Sequence, residues 1–500
     1  MMVTFSRRAV MLAGLALGAA TAVLPGAVQA ARTDLTLGIR LEPPHLDPTA
    51  GAAAAIDEIT YANIFEGLTR IDAQGAVQPW LAKSWEISED GKTYTFSLRE
   101  GVRFHDGTTF DAEDAKFSLD RARGADSTNA QKPLFSGIES VEVVDPLTLK
   151  VTLSQPNGAF LFNLGWGDAA MVAPESAAGN KAKPVGTGPF TFSQWVQGDR
   201  IVLAKNPEYW GEPVRLDKAT FKIIADPAAA LAALLAGDVD GFPIFQALEN
   251  LPMLEADPRF TVDIGSTEGE TILAMNNKAG PLADVRVRRA ISHAIDRQAI
   301  IDGAMFGVGT PIGTHFAPHH PAYQDLVGTY PLDLGAARAL LAEAGYPDGF
   351  KATLKLPPPA YARRGGELIA SDLKKIGIEL EIVPLEWAQW LSDVFKGKNY
   401  DMTIVSHTEP MDIGIYGRDD YYFQYDSPEF KKVMAELEAA TDTDTRYKLM
   451  AEAQRRITED AVNVYLFQLA KAGVWNAKLK GMWQNAPIQA NDLTGVYWED

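Results

Sequence analysis

Ala352-Thr353-Leu354-Lys355-Leu356, then Gly366 to Ile376, then Glu379-Leu380-Glu381-Ile382-Val383 form the stretch that decides the fold. The first and last segments read as strands, and the middle one carries helical patterning. Strand, helix and strand in succession predict an α/β unit whose two strands lie side by side in a partly parallel sheet. The same alternation extends in both directions. Helices are expected at Val285–Met305, Gly335–Ala344, Pro428–Ala440 and Asp444–Glu459, with a further strand at Met402–Val405. From about Asn276–Pro281 onward the chain therefore reads as one α/β lobe.

Upstream the pattern changes. Leu35-Thr36-Leu37-Gly38-Ile39 is a strand candidate that runs into the Pro-rich turn Glu42–Pro48. Ile56, Ile59, Ile64, Phe65 and Leu68 then fall near helical spacing. Trp80 to Phe110 alternates apolar and polar residues, with Tyr94–Leu98 as one half-buried strand and His105-Asp106-Gly107 as a tight turn. Asp111–Asp114 places acids where a helix start favours them. The Asp145-Pro146 turn joins two strands into a hairpin, and Ala228–Ala236 is a short helix stopped by Gly237. No internal repeat or low-complexity linker divides the chain. Two α/β lobes joined by short crossing strands are expected.

The N-terminus reads as a targeting segment. Ser6-Arg7-Arg8 precedes an apolar run from Ala9 to Val23, and Val28-Gln29-Ala30 offers small residues for cleavage after Ala30. The run is too short and too rich in Ala and Gly to favour a permanent anchor. The paired arginines resemble a twin-arginine signal with a loose continuation at Val10-Met11, and ordinary secretion fits equally. No later stretch is apolar enough to span a bilayer. The chain of 500 residues carries 46 basic and 65 acidic side chains, a net charge of −19, or −21 once Arg7 and Arg8 are removed. This balance disfavours nucleic acid and anionic lipid as partners. The absence of cysteine excludes disulfides, thiolate nucleophiles and thiolate metal sites.

Catalytic patterns are missing as well. The sequence has no G-x-S-x-G elbow, no H-E-x-x-H helix, no Walker loop and no G-x-G-x-x-G turn. Gly186-Thr187-Gly188 runs directly into Pro189, which lacks the N–H that a phosphate cradle needs. His315, His319 and His320 could share a metal by proximity, but with no carboxylate nearby in sequence they read as loop histidines. A binding protein is expected rather than an enzyme, with no metal and no cofactor.

Several segments resemble the extracytoplasmic solute-binding proteins of ABC importers, in the group that binds peptides, nickel and related solutes. They are Trp85–Phe96 continuing to Ala112-Glu113-Asp114; Gly186–Phe190 closed by Asn206-Pro207-Glu208-Tyr209-Trp210-Gly211; Leu234–Asp240; and Asn276-Asn277-Lys278 with Asp284–Ala290 and Ala294–Arg297. The resemblance covers nearly the whole chain after residue 30. It implies a two-lobed periplasmic-binding-protein fold of α/β class with mixed sheets, a hinge crossover and an inserted subdomain. The implied limits are 1–30 for the signal peptide, 31–70 and 180–275 for lobe I, and 71–179 for the inserted subdomain. Lobe II would span 276–477, and 478–500 would return to lobe I. A small solute would be enclosed between the lobes and handed to an inner-membrane ABC permease with its ATPase subunits, by a monomer acting in the periplasm.

By the same resemblance, the position that grips a peptide's amino group falls on Glu409, and Trp387 matches a pocket tryptophan. Glu42 is a second candidate carboxylate, Thr187 and Gly188 offer contacts near the crossover, and His407, Asp412 and Tyr416 surround Glu409 in sequence. Where dipeptide binders carry a carboxylate-clamping arginine, this chain has Leu356, and no motif singles out Arg363, Arg364 or Arg418 as a substitute. The expected solute is therefore amine-bearing or peptide-like. The alternatives are a true di- or oligopeptide receptor, an exported enzyme on a binding fold, or a sensor that binds a protein.

Overall fold

The computed structural model describes residues 32–51, 53–409 and 411–499. The expected signal segment 1–30 lies outside the described residues. The main sheet runs, strand by strand, Ile378–Pro384, Phe350–Leu356, Met402–His407, Phe260–Met275, Asn463–Asn476, Gly241–Phe242, Asp34–Ile39, Lys218–Ile223, Arg200–Lys205 and Phe190–Val196. The short strand Thr310–Pro311 also pairs with Asn463–Asn476.

Two strands hold this sheet together. Phe260–Met275, of 16 residues, and Asn463–Asn476, of 14, lie antiparallel along most of their length. At about 3.3 Å per residue the longer reaches ~50 Å, enough to serve one half-sheet at each end. Near Phe260 and Trp475 they meet the N-terminal half, with Gly241 opposite Trp475. Near Met275 and Asn463 they meet the C-terminal half, with Met275 opposite Met402. The crossing strands are thus long rather than short as expected, because the same strands also form the middle of both half-sheets.

The stretch from 350 to 384 behaves as its sequence predicts. Phe350–Leu356 pairs in parallel with Ile378–Pro384, and helix Ala360–Lys374 makes the crossover. Ala362, Gly365, Gly366, Ile369 and Leu373 form its buried stripe. A Cβ on Gly366 would stand 2.4 Å from Leu356, so this glycine lets the helix settle directly on the strand. Leu356 itself is buried in the core of this half with Ile291, Ile301, Ile369 and Ile404.

The expected helix Val285–Met305 is two helices, Val285–Ala294 and Arg297–Met305. Ile295 is extended, and the Asp296 carboxylate accepts from the Ala299 N–H, starting the second helix afresh. The helix expected over 56–68 stops at Thr60; Ile64, Phe65 and Leu68 are buried from the turn that follows, where Ala62 has φ 60°.

A separate four-stranded antiparallel sheet, in the order Ala82–Ile87, Thr93–Leu98, Thr148–Leu153, Ile138–Asp145, has its own core of Tyr94, Phe96, Leu98, Leu119, Phe135 and Val151. Helix Ala112–Arg123 packs on it, and its start is a reciprocal capping box between Asp111 and Asp114. Asp111→Ala should cost about 1 kcal/mol of unfolding free energy in guanidinium titrations. A loss below a few tenths would show that tertiary packing alone holds this helix end.

Candidate functional site

The site arises from a break in the pairing of the crossing strands. Their register is regular from Phe260↔Asn476 to Ser266↔Ala470, then shifts and resumes at Glu270↔Gln468. Thr267, Glu268 and Gly269 leave the ladder, and Thr267 instead bridges Ala486. A bulge of this kind re-aims side chains that a regular pleat would alternate across the sheet. The three residues, with Leu469–Ala472 of the partner strand, wall a cavity of about 550 Å³. Arg40, Glu58, Phe245 and the returning C-terminal segment 486–491 close it from the N-terminal half. Met305, Tyr361 and Thr408 close it from the C-terminal half.

Four charged side chains line this cavity. Arg40 is exposed beyond strand Asp34–Ile39. Lys471 is 2 % exposed; its Nζ donates to the Trp483 carbonyl and sits 5.9 Å from the Trp475 ring centre. Burial pulls its ammonium down to about 8. Burial raises the carboxyls of Glu58 and Glu268. Glu268 Oε1 lies 2.7 Å from His319 Nε2, and His319 Nδ1 lies 2.6 Å from Ser266 Oγ. Behind it Glu270 is buried, pushed well up by burial and by the like charges of Glu268 and Asp412.

The residues singled out from sequence fall elsewhere. Glu42 is exposed and accepts from Trp195 Nε1 at 2.9 Å and the Gly198 N–H at 2.8 Å. Thr187 is buried and donates to Glu66 at 2.6 Å. The Gly188 carbonyl receives Asn206 Nδ2 at 3.0 Å and contacts His105 Nε2 at 2.9 Å, and a Cβ there would stand 2.5 Å from the Asn63 carbonyl. Trp387 is 42 % exposed with its ring against Trp390. Glu409 is exposed beside the cavity-lining Thr408. None of these five lines the cavity.

His407, Asp412 and Tyr416 are brought together without lining the cavity, and His315 joins them. His315 Nε2 is 2.7 Å and His407 Nδ1 3.2 Å from the Asp412 carboxylate. Tyr416 Oη lies 3.2 Å from His315 Nδ1, and Tyr422 Oη 3.0 Å from His407 Nε2. The loop histidines therefore do have carboxylates beside them, Asp412 for His315 and Glu268 for His319, supplied from distant sequence. Among the arginines, Arg363 donates to the Pro357 and Leu385 carbonyls, Arg364 covers Phe306, and Arg418 lies over Tyr421. Arg40 and Lys471 take the cavity positions instead. Lys471 could have been noticed as the lone cation in the apolar run Leu469-Ala470-Lys471-Ala472-Gly473-Val474.

Two half-sheets, long shared crossing strands and a charged cavity at the crossing define a two-lobed α/β periplasmic-binding-protein fold. Residues 76–414 match the model of bacterial extracellular solute-binding proteins, family 5 (middle region). The glutathione-binding protein GsiB of Escherichia coli K12 is 33 % identical over 396 residues, covering 77 % of this chain and 76 % of its own. Heme-binding protein A of Haemophilus influenzae is 34 % identical over 357 residues, 64 % of each chain. The solved structure of HbpA2 from Haemophilus parasuis superposes with a TM-score of 0.86 at 26 % identity, covering 93 % of this chain and all of that one. The chain belongs to the family 5 bacterial extracellular solute-binding proteins. It is a solute-binding component of an ABC importer, and proteins of this family deliver their solutes to the permease. Its relatives are binding proteins of transporters, not enzymes. Among the described residues no helix is long and apolar enough to cross a membrane.

Proposed function

We propose that the solute is a small, peptide-like zwitterion with at least one amine and one carboxylate. One observation carries this reading: two cations, Arg40 and Lys471, and two carboxylates, Glu58 and Glu268, line the same cavity of about 550 Å³. Arg40 and Lys471 would receive solute carboxylates, while Glu268 and Glu58 would receive the ammonium. Apolar surface from Phe245, Met305, Tyr361 and Leu469 would cover the uncharged part. Glutathione, the solute named for the E. coli relative, has this chemistry, and the likeness to that protein supports the reading.

The protein would work in the periplasm, exported by residues 1–30, as a monomer that docks on its own inner-membrane permease and ATPase subunits. The lobe limits implied by the family resemblance belong to the same proposal. Relative movement of the lobes about the crossing strands would close the cavity over its guest.

A thermal-shift panel tests the proposal, since a ligand that binds only the native state raises the melting temperature. Glutathione or short peptides at about 100 times Kd should stabilise by about 2.7 kcal/mol, and simple sugars not at all. Stabilisation by heme alone would assign the cavity to the chemistry named for the Haemophilus influenzae relative, and would overturn the zwitterion reading.

A further inference from the structure

We propose that His315 Nε2, His407 Nδ1 and an Asp412 carboxylate oxygen form a resident transition-metal site of the zinc class, separate from the solute cavity. These ligand atoms all lie within 4.8 Å of one another. They come from three separate segments: the loop after strand Thr310–Pro311, the end of strand Met402–His407, and the 3-10 turn Asp412–Gly417. Two imidazoles and one carboxylate suit Zn²⁺ or Co²⁺ and are a poor match for Mg²⁺ or Ca²⁺, which take all-oxygen shells.

The surroundings have the form of a metal centre's outer shell. Each imidazole has its outer nitrogen on a tyrosine oxygen, Tyr416 for His315 and Tyr422 for His407. In the metal-bound protonation state both outer nitrogens donate to those oxygens, fixing the rings with their inner nitrogens aimed at the cation. Tyr416 is itself held by Asn463 Nδ2 at 3.0 Å. His315, Tyr416 and Tyr422 are each at most 1 % exposed, so the ion would sit among buried side chains.

Such an ion would join the three segments into one unit next to Thr408 on the cavity wall. It would be a fixture of the C-terminal half rather than cargo. Three protein ligands leave a fourth position for water or one further donor.

The test is a titration of Co²⁺ and Zn²⁺ into untagged, chelator-stripped protein comprising residues 31–500. One equivalent of Co²⁺ should give visible d–d absorption of a four- or five-coordinate site, displaced by one equivalent of Zn²⁺ and unaffected by Mg²⁺. Asp412→Asn should weaken Co²⁺ binding at least 100-fold, and Tyr422→Phe about 10-fold. His320→Gln, a histidine outside the trio, should leave it unchanged. Failure of the unaltered protein to bind one equivalent would overturn the proposal and leave the trio a hydrogen-bonded group alone. So would binding that survives Asp412→Asn but is lost in His319→Gln, which would move the ion to Glu268. Solute binding is read separately by the thermal-shift panel, so either proposal can fail without the other.

Discussion

Lys471→Met is expected to weaken solute binding about 100-fold or more, close to 3 kcal/mol, without loss of the fold. Lys471 lies on the second crossing strand, buried, lining the cavity with its ammonium donating to the Trp483 carbonyl. A solute carboxylate would meet there a cation with little water to share it, and removing such a partner strands the other charge. Methionine keeps the length and apolar body of the side chain, so the strand pairing should persist. The free protein should change little in stability at pH 7, because losing the hydrogen bond to the Trp483 carbonyl is offset by removing an ammonium that burial pulls from its ordinary 10.5 down to about 8. Affinity of the unaltered protein should hold below pH 8 and fall above it, as the ammonium loses its proton. Calorimetric titration with glutathione from pH 6 to pH 9.5 checks both points. Equal affinities for the two proteins would remove Lys471 from the site.

The second large effect concerns stability. Glu66 is 1 % exposed and accepts three hydrogen bonds: from Thr187 Oγ1 at 2.6 Å, Trp210 Nε1 at 2.8 Å and Tyr209 Oη at 2.8 Å. These donors come from two of the segments that carry the family resemblance, so this carboxyl ties them together. Glu66→Ala leaves all three unmet in a dry interior and should cost about 3–5 kcal/mol near pH 5. Burial pushes the folded carboxyl up to about 7, above its unfolded value of 4.5. A group raised in this way contributes stability that is complete below about pH 4.5 and is lost as pH rises through 7. The difference between the two proteins should therefore shrink by about 3 kcal/mol between pH 5 and pH 8. Guanidinium unfolding at both pH values measures it, and a pH-independent difference would show that Glu66 is ionised throughout.

Much of the architecture was legible in the residues. The unit from Phe350 to Pro384 needed only periodicity, because its strands alternate and its helix carries one apolar stripe. Asp111 and Gly237 announced a helix start and a helix end through local chemistry that no tertiary contact has to supply. Length was harder to read: the crossing strands mix Gly, Thr and Glu with apolar residues, and their continuity comes from partners far away in the chain. The break at Ile295-Asp296 was hidden because the apolar spacing runs on while the backbone does not.

The cavity was the least legible part. Arg40, Glu58, Glu268 and Lys471 lie far apart in sequence, and only the fold makes them neighbours. The resemblance to peptide-binding relatives directed attention to the segment 407–416, and that segment does hold a polar cluster, though one centred on Asp412 and His315. Motif spacing cannot reveal such a group, because His315 and Asp412 belong to separate loops joined by neither helix nor strand periodicity.

Native mass spectrometry of the protein purified from its own source, without refolding, addresses the cavity most directly. The expected result is one bound small molecule per chain carrying both an amine and a carboxylate, absent from the Lys471→Met and Glu268→Gln forms. A bound molecule that lacks either charge, or one retained equally by both variants, would contradict recognition by the opposed charges at the crossing of the two strands.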